Sequence, residues 1–153
     1  MSKLLNVYSH MVFENELTKR GLTDENVETF KNDAFIDIIG KGVEDGLSHF
    51  FKENHENVLN LEFDDIDKEV ERYGTTDVLY GMSKEQAKET YDFIMKNKDK
   101  SFTICCAAGM SRSQGVGNFI NQIMKGEYTS TTLLPYPNPH VVAMLKRVWY
   151  GYE

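Results

Sequence analysis

The chain has only two cysteines, and they are neighbours, Cys105 and Cys106. Adjacent cysteines do not close an ordinary unstrained bridge, so a disulfide framework is excluded and a reducing, cytoplasmic setting is expected. Positive charge is scarce too: 17 Lys and Arg stand against 24 Asp and Glu, a net charge of −7. No dense basic stripe is present to neutralise a phosphate backbone, which argues against duplex nucleic acid as a partner. Long hydrophobic runs are missing as well. The opening MSKLLNVYSHMVFENEL is interrupted by Asn6, Ser9 and His10, so it lacks the apolar stretch of a signal peptide. No segment approaches membrane-spanning length, and no membrane association is expected. The four histidines, His10, His49, His55 and His140, show no ligand spacing with one another or with the cysteines, so no metal site is expected.

What is present is the composition of an ordinary globular protein, 41% hydrophobic and 27% charged. A chain of 153 residues is long enough for one core and short for two, so residues 1–153 are read as a single domain. The hydrophobic pattern alternates between strand and helix. LLNVY (4–8) reads as an opening strand, LTDENVETFK (22–31) as a helix capped by Thr23 or Asp24, and AFIDII (34–39) as a strand ended by Gly40. VEDGLSHFFKEN (43–54) reads as a helix despite Gly46, and NVLNLEF (57–63) as a strand closed by Asp64, Asp65 and Asp67. SKEQAKETYDFIMKNK (83–98) is the plainest helix, with a Ser83–Gln86 capping box and a stripe of Ala87, Tyr91, Ile94 and Met95. SFTICC (101–106) is a buried strand and SRSQGVGNFINQIMKG (111–126) the helix after it. YTSTTLLPYPNP (128–139) reads as a loop. HVVAMLKRVWYGY (140–152) reads as a terminal helix with Val142, Leu145 and Trp149 on one side. The pattern predicts an α/β domain with a central, mostly parallel sheet flanked by helices. In such sheets ligands bind beyond the carboxyl ends of the strands, where residues 103–116, TICCAAGMSRSQGV, fall.

Five residues separate Cys106 from Arg112. That is enough chain to wrap a tetrahedral oxyanion, with successive N–H groups turned inward and the positive end of the next helix behind them. The expected ligand is a phosphate held by the backbone of Ala107, Ala108, Gly109, Met110, Ser111 and Arg112. The same dipoles and the Arg112 charge favour the Cys106 thiolate over the thiol, making it the nucleophile. The planar fork of Arg112 can hold two phosphoryl oxygens at once. Ala107, Ala108 and Gly109 are small enough for close backbone approach, and Gly109 can take a left-handed conformation. Ser113 is placed to donate to the Cys106 sulfur and help it leave. Cys105 reads as a buried strand residue, with a protective redox role beside oxidised Cys106 as its alternative. PYPNPH (135–140) reads as a loop that stops and restarts helices, with Tyr136 or Asn138 as alternative pocket-lining residues.

Cys106, five residues, Arg112 and Ser113 at a strand-to-helix turn resemble the signature of the cysteine-based protein tyrosine phosphatases. The wording AGMSRS and its place in the last third of a small chain look most like the dual-specificity branch, in its compact bacterial and phage-type members. The resemblance implies hydrolysis of a phosphomonoester through a phosphocysteine, with no cofactor. It also implies a phosphorylated protein, phosphotyrosine first, or a small phosphomonoester as substrate. It further implies an aspartate on a separate loop as general acid and then base. Asp65 in LEFDDID is the first choice, with Asp64, Asp67 and, closer to the family's interval, Asp77 as alternatives. The family usually has His where Cys105 stands. The alternative function is a phosphate-binding pseudophosphatase that recognises phosphorylated partners without turnover. Sulfur transfer or arsenate reduction on a similar anion loop ranks lower, and arsenate reduction by a thiol relay needs additional resolving cysteines, a job for which Cys105 alone is poorly placed. The oligomeric state is unassigned.

Overall fold

The computed structural model describes residues 3–41, 46–74 and 77–151, without the side chains of Tyr73 and Asp77. Five strands form one sheet in the order β3-β2-β6-β1-β7, and every pairing in it is parallel. In chain order the elements are β1 (Lys3–Ser9), α1 (His10–Lys19), β2 (Asp33–Ile39), β3 (Val58–Glu62), β4 (Val70–Tyr73) and β5 (Asp77–Tyr80). They continue as α2 (Lys84–Lys96), β6 (Ser101–Cys106), α3 (Arg112–Ile123), β7 (Tyr128–Thr129) and α4 (Pro139–Trp149).

β2 and β6 are buried along almost their whole length, as expected of strands covered on both faces. One face carries Leu5, Ile36, Ile38, Ile104 and Cys106 against α2, α3 and α4. The other carries Phe35 and Cys105 against Phe13 and Leu17 of α1 and against Phe51. The period-2 alternation of a strand therefore sends the two adjacent cysteines to opposite sides of the sheet. β6 is the central strand, so Cys106 ends the middle of the sheet at its carboxyl edge.

The helix expected over 83–98 is α2, with the Ser83–Gln86 capping box present in both directions. α4 begins where Asn138 accepts from the His140 and Val141 N–H groups, with Pro139 in its first turn. Its buried face is Val141, Met144 and Leu145; of the expected stripe, Leu145 is buried, Val142 is half-buried and Trp149 is exposed. Residue 152 lies outside the described residues.

Three expectations need correction. Residues 22–31 make only a single 3-10 turn, Val27–Thr29, although Thr23 and Asn26 exchange hydrogen bonds as a cap would. Buried Asn57 bears on this: its amide donates to Val27 O, a carbonyl a helix over 22–31 would have used, and to Phe30 O and Asp33 O just beyond, fixing the turn into β2. Residues 46–54 of the stretch 43–54 are not helical, and 43–45 lie outside the described residues. Phe50 N–H is bound to the Asp37 carboxylate and Phe51 O to the Asn60 amide, while both rings pack into the α1-side core. Within 67–82, β4 and β5 pair antiparallel as a separate two-stranded sheet. The stretch 128–139 opens with β7, paired with β1 at Lys3 and Leu4. The helix α1, which no sequence signal marked, starts at Ser9, whose hydroxyl accepts from Val12 N–H, and buries His10, Phe13 and Leu17.

Candidate functional site

The stretch between Cys106 and Arg112 is a tight loop joining the carboxyl end of β6 to the N-terminus of α3. Gly109 has φ 69, and a Cβ on it would lie 2.5 Å from both Ser9 N and Tyr8 C, so the loop sits directly on the β1–α1 junction. Three loop carbonyls are taken by donors from outside the loop. Ala107 O accepts from His10 N–H at 3.3 Å, Gly109 O from Gln114 Nε2 at 3.0 Å, and Ser111 O from Asn138 N–H at 3.1 Å. Within a planar trans peptide unit the C=O and the following N–H point opposite ways. Holding these carbonyls outward turns the N–H groups of Ala108, Met110 and Arg112 toward the loop's interior. Among the described residues, the N–H groups of Ala107 to Ser111 donate to no protein atom. Such a ring of inward donors at a helix N-terminus is an anion nest.

Cys106 lies on the floor of the loop with 2% exposure. Ser113 supports its sulfur twice, through its hydroxyl at 2.9 Å and its backbone N–H at 3.4 Å. Arg112 is 5% exposed, and one of its guanidinium nitrogens donates to Phe63 O at 3.0 Å. That contact ties the arginine to the end of β3, where the acidic stretch begins.

The acidic residues there separate by environment. Asp64 is buried, and its two carboxylate oxygens accept the backbone N–H groups of Lys41 at 3.0 Å and Tyr80 at 2.8 Å. It fastens the β4–β5 hairpin to the end of β2. Asp65 is exposed, and its Oδ1 accepts from Ser111 Oγ at 2.7 Å and from Asn138 Nδ2 at 2.8 Å. It is therefore docked on the rim of the 106–112 loop. Asp67 is exposed farther along, and the side chain of Asp77 lies outside the described residues. The structure thus brings Cys106, Ser111, Arg112, Ser113 and Asp65 to one carboxyl edge.

Two residues that sequence reasoning underrated complete the arrangement. Asn138 caps α4 with its carbonyl oxygen while its amide donates to Asp65 and to Ile66 O at 3.0 Å. Its place before Pro139 at a helix start was the available signal for the cap, though not for the bond to Asp65. Gln114 is fully buried and crosslinks Gly109 O to Thr132 O and the Leu134 N–H. No sequence pattern marks a buried amide of this kind.

Cys105 has a different character. It is fully buried on the opposite face, and its thiol donates to Asp37 Oδ1 at 3.2 Å. Burial, reinforced by the adjacent Asp37 charge and the hydrogen bond to it, pushes the Cys105 thiol well above the ordinary cysteine range. Among the described residues no group of three His, Cys, Asp or Glu side chains is arranged to hold a metal ion, and no helix is long and apolar enough to cross a membrane.

No family model and no curated protein matches the chain.

Proposed function

We propose that the protein is a cysteine-dependent phosphomonoesterase of the protein tyrosine phosphatase kind, with a fold to match, acting on phosphorylated protein or a small aryl phosphate. The observation that carries this reading is the loop itself: outward-held carbonyls, N–H groups that donate to no protein atom among the described residues, and a buried sulfur bonded to Ser113, with buried Arg112 at the start of the following helix. An oxyanion is the ligand such a cradle suits, and a sulfur on its floor lies in line with a bound phosphorus.

In this reading the Cys106 thiolate attacks phosphorus, forming the S–P bond as the ester P–O bond breaks. Arg112 and the loop amides hold the three equatorial oxygens as charge develops on them. Asp65, protonated, gives its proton to the departing oxygen. Asp65 then takes a proton from water, whose oxygen attacks the phosphocysteine, and the thiolate leaves onto the Ser113 hydroxyl. Ser111 and Asn138 both meet Asp65 at Oδ1, which aims the carboxyl group across the loop mouth.

The test is burst and steady-state hydrolysis of an aryl phosphate by wild type, Cys106→Ser and Arg112→Lys. Vanadate-sensitive turnover in wild type and none in Cys106→Ser supports the reading. Absence of turnover in wild type, with phosphopeptide binding retained in both, would instead identify a phosphate-binding protein without catalysis.

A further inference from the structure

Nine large apolar side chains stand exposed among the described residues, and six of them belong to the 106–112 loop or to segments tied to it: Met11, Val12, Val70, Tyr80, Met110 and Tyr136. The others lie at the far end of β1 and at the end of α4. Exposed apolar residues scattered singly are ordinary on a protein surface, whereas a group of them around one site marks an interaction surface.

Hydrogen bonds connect each segment to the site. Met110 lies in the loop itself. Met11 and Val12 follow His10 in the first turn of α1, and the His10 N–H donates to Ala107 O. Tyr136 stands between Pro135 and Pro137 on an arch whose two ends rest on the loop and its helix. Leu134 N–H donates to Gln114 Oε1 at 2.8 Å, and Asn138 N–H donates to Ser111 O at 3.1 Å. On the hairpin, Asp64 N–H donates to Tyr80 O at 2.6 Å and Tyr80 N–H to Asp64 Oδ2 at 2.8 Å, which joins Tyr80 to the residue before Asp65. Val70 is paired directly opposite Tyr80, so their side chains share one face of the hairpin.

Tyr136 is the most exposed of the six, at 75%. The prolines on either side restrict its backbone, so little conformational freedom is left to lose when the ring packs against a ligand. The surface is also wide. α1 follows β1 and the Asp64 stretch follows β3, and these two strands are three places apart in the sheet. At the usual strand spacing that is about 14 Å, a width that one aryl ring cannot cover and that about four residues of extended peptide do cover.

We propose that these side chains form an apolar collar for the residues flanking the phosphoryl group, so that the substrate is a protein segment carrying phosphotyrosine between apolar neighbours rather than a small ester. The loop takes the phosphoryl oxygens, and Tyr136, Tyr80 and Val70 receive apolar side chains within about two residues of the phosphotyrosine. This inference rests on the reading of the 106–112 loop as an oxyanion site and chooses between the two substrate classes which that reading leaves open.

The experiment uses the full chain carrying Cys106→Ser, which holds a phosphopeptide without turning it over. Two fluorescein-labelled phosphotyrosine peptides of equal length and charge are compared by anisotropy, one with Leu and Val beside the phosphotyrosine and the other with Ser and Asn. Sulfate binding, followed by NMR, is measured alongside. The apolar peptide is expected to bind about tenfold more tightly, as burial of one or two of its side chains provides. Adding Tyr136→Ser and Tyr80→Ser together should reduce that preference to within about twofold, with sulfate affinity also within about twofold of the parent chain. Leu4→Ser, at the far end of β1, should keep the full preference. Equal affinities of the two peptides for the parent chain, or a preference that survives in the double variant, overturns the proposal. A dimer in sedimentation that the double variant dissociates, or binding to phosphatidylcholine vesicles, would give the collar a different occupant and overturn it equally. Absence of sulfate binding in the parent chain would overturn the oxyanion reading of the loop itself, a result distinct from equal peptide affinities.

Discussion

Ser111 donates its hydroxyl hydrogen to Asp65 Oδ1 at 2.7 Å, joining two loops that lie 46 residues apart in sequence. This bond distinguishes Asp65 from its neighbours, because it places one carboxylate at the mouth of the loop that surrounds Cys106. Asp64, adjacent in sequence, is turned inward onto two backbone N–H groups.

The two aspartates should therefore fail differently. Asp65→Asn is expected to lower kcat by about 10²–10⁴ for an ester with a poor leaving group and to remove the limb of the pH–rate profile that reports the acid. An activated aryl ester, which needs no proton on leaving, should be affected far less. Asp64→Asn puts an amide NH2 where an acceptor is needed and should cost about 1–3 kcal/mol of stability, read as a lower melting temperature. Equal kinetic defects in both variants would remove the distinction drawn between them.

Gly109→Ala tests the seat of the loop. Its φ of 69 and the 2.5 Å approach of a Cβ to Ser9 N leave a methyl group no room without moving backbone. The left-handed conformation alone costs roughly 1–2 kcal/mol for a residue with a Cβ. Displacing the loop by about 1 Å is expected to cut turnover about 100-fold, with a matching loss of sulfate affinity.

The two thiols should react unequally. Cys105 is buried, raised in pKa by burial and by Asp37, and faces away from the loop. Iodoacetamide on the native protein is expected to modify Cys106, to be blocked by vanadate, and to reach Cys105 only after unfolding. Peptide mapping by mass spectrometry reads this directly. A native Cys105 adduct, or a disulfide between the two, would restore the redox role that the opposite-facing side chains disfavour.

The strands β1, β2, β3 and β6 and the helices α2, α3 and α4 were legible because each carries its own period and punctuation, such as the Ser83–Gln86 box or Gly40 after β2. The failures came where a distant polar group overrode local pattern. Asn57 takes the carbonyls of the stretch 27–33, and Asp37 and Asn60 hold Phe50 and Phe51 in a non-helical course. Neither partner is visible from the segment itself. For the candidate site the contrast is similar. Cys106, Arg112 and Ser113 are close in sequence and were identified by spacing. The choice among the aspartates, and the roles of Asn138 and Gln114, depend on contacts between segments that only the folded chain brings together.

His55 offers a test of an ion pair outside the candidate site. Its Nε2 lies 2.7 Å from Asp24 Oδ1 and its Nδ1 3.3 Å from Glu28 Oε2. Burial works against its charge, but the hydrogen bonds and charges of Asp24 and Glu28 outweigh it and hold the His55 pKa above the usual value. Burial likewise disfavours the Asp24 charge, yet His55 and the backbone N–H groups of Lys52 and Glu53 keep its pKa below the usual one. A raised folded-state pKa means that the His55 contribution is fully present below the unfolded histidine value, about 6.5, and is lost as pH rises through the folded value. The Asp24 contribution is present above its unfolded value, about 3.9, and is lost as pH falls through the lowered one. Wild type should thus exceed His55→Gln in stability by about 0.5–1 kcal/mol near pH 6, with the difference shrinking toward pH 8. Denaturant melts at both pH values measure it, and a difference that grows with pH would contradict the assignment.

The central claim is that the Cys106 sulfur takes up the phosphoryl group. Rapid acid quench of the protein during turnover of an aryl phosphate, followed by peptide mass spectrometry, tests it most directly, with Asp65→Asn used to slow hydrolysis of the intermediate. The account predicts one added phosphoryl group on the peptide containing Cys106, absent in Cys106→Ser and removed on further incubation as phosphate is released. Turnover proceeding with no such adduct, or with the phosphoryl group on another residue, would contradict it.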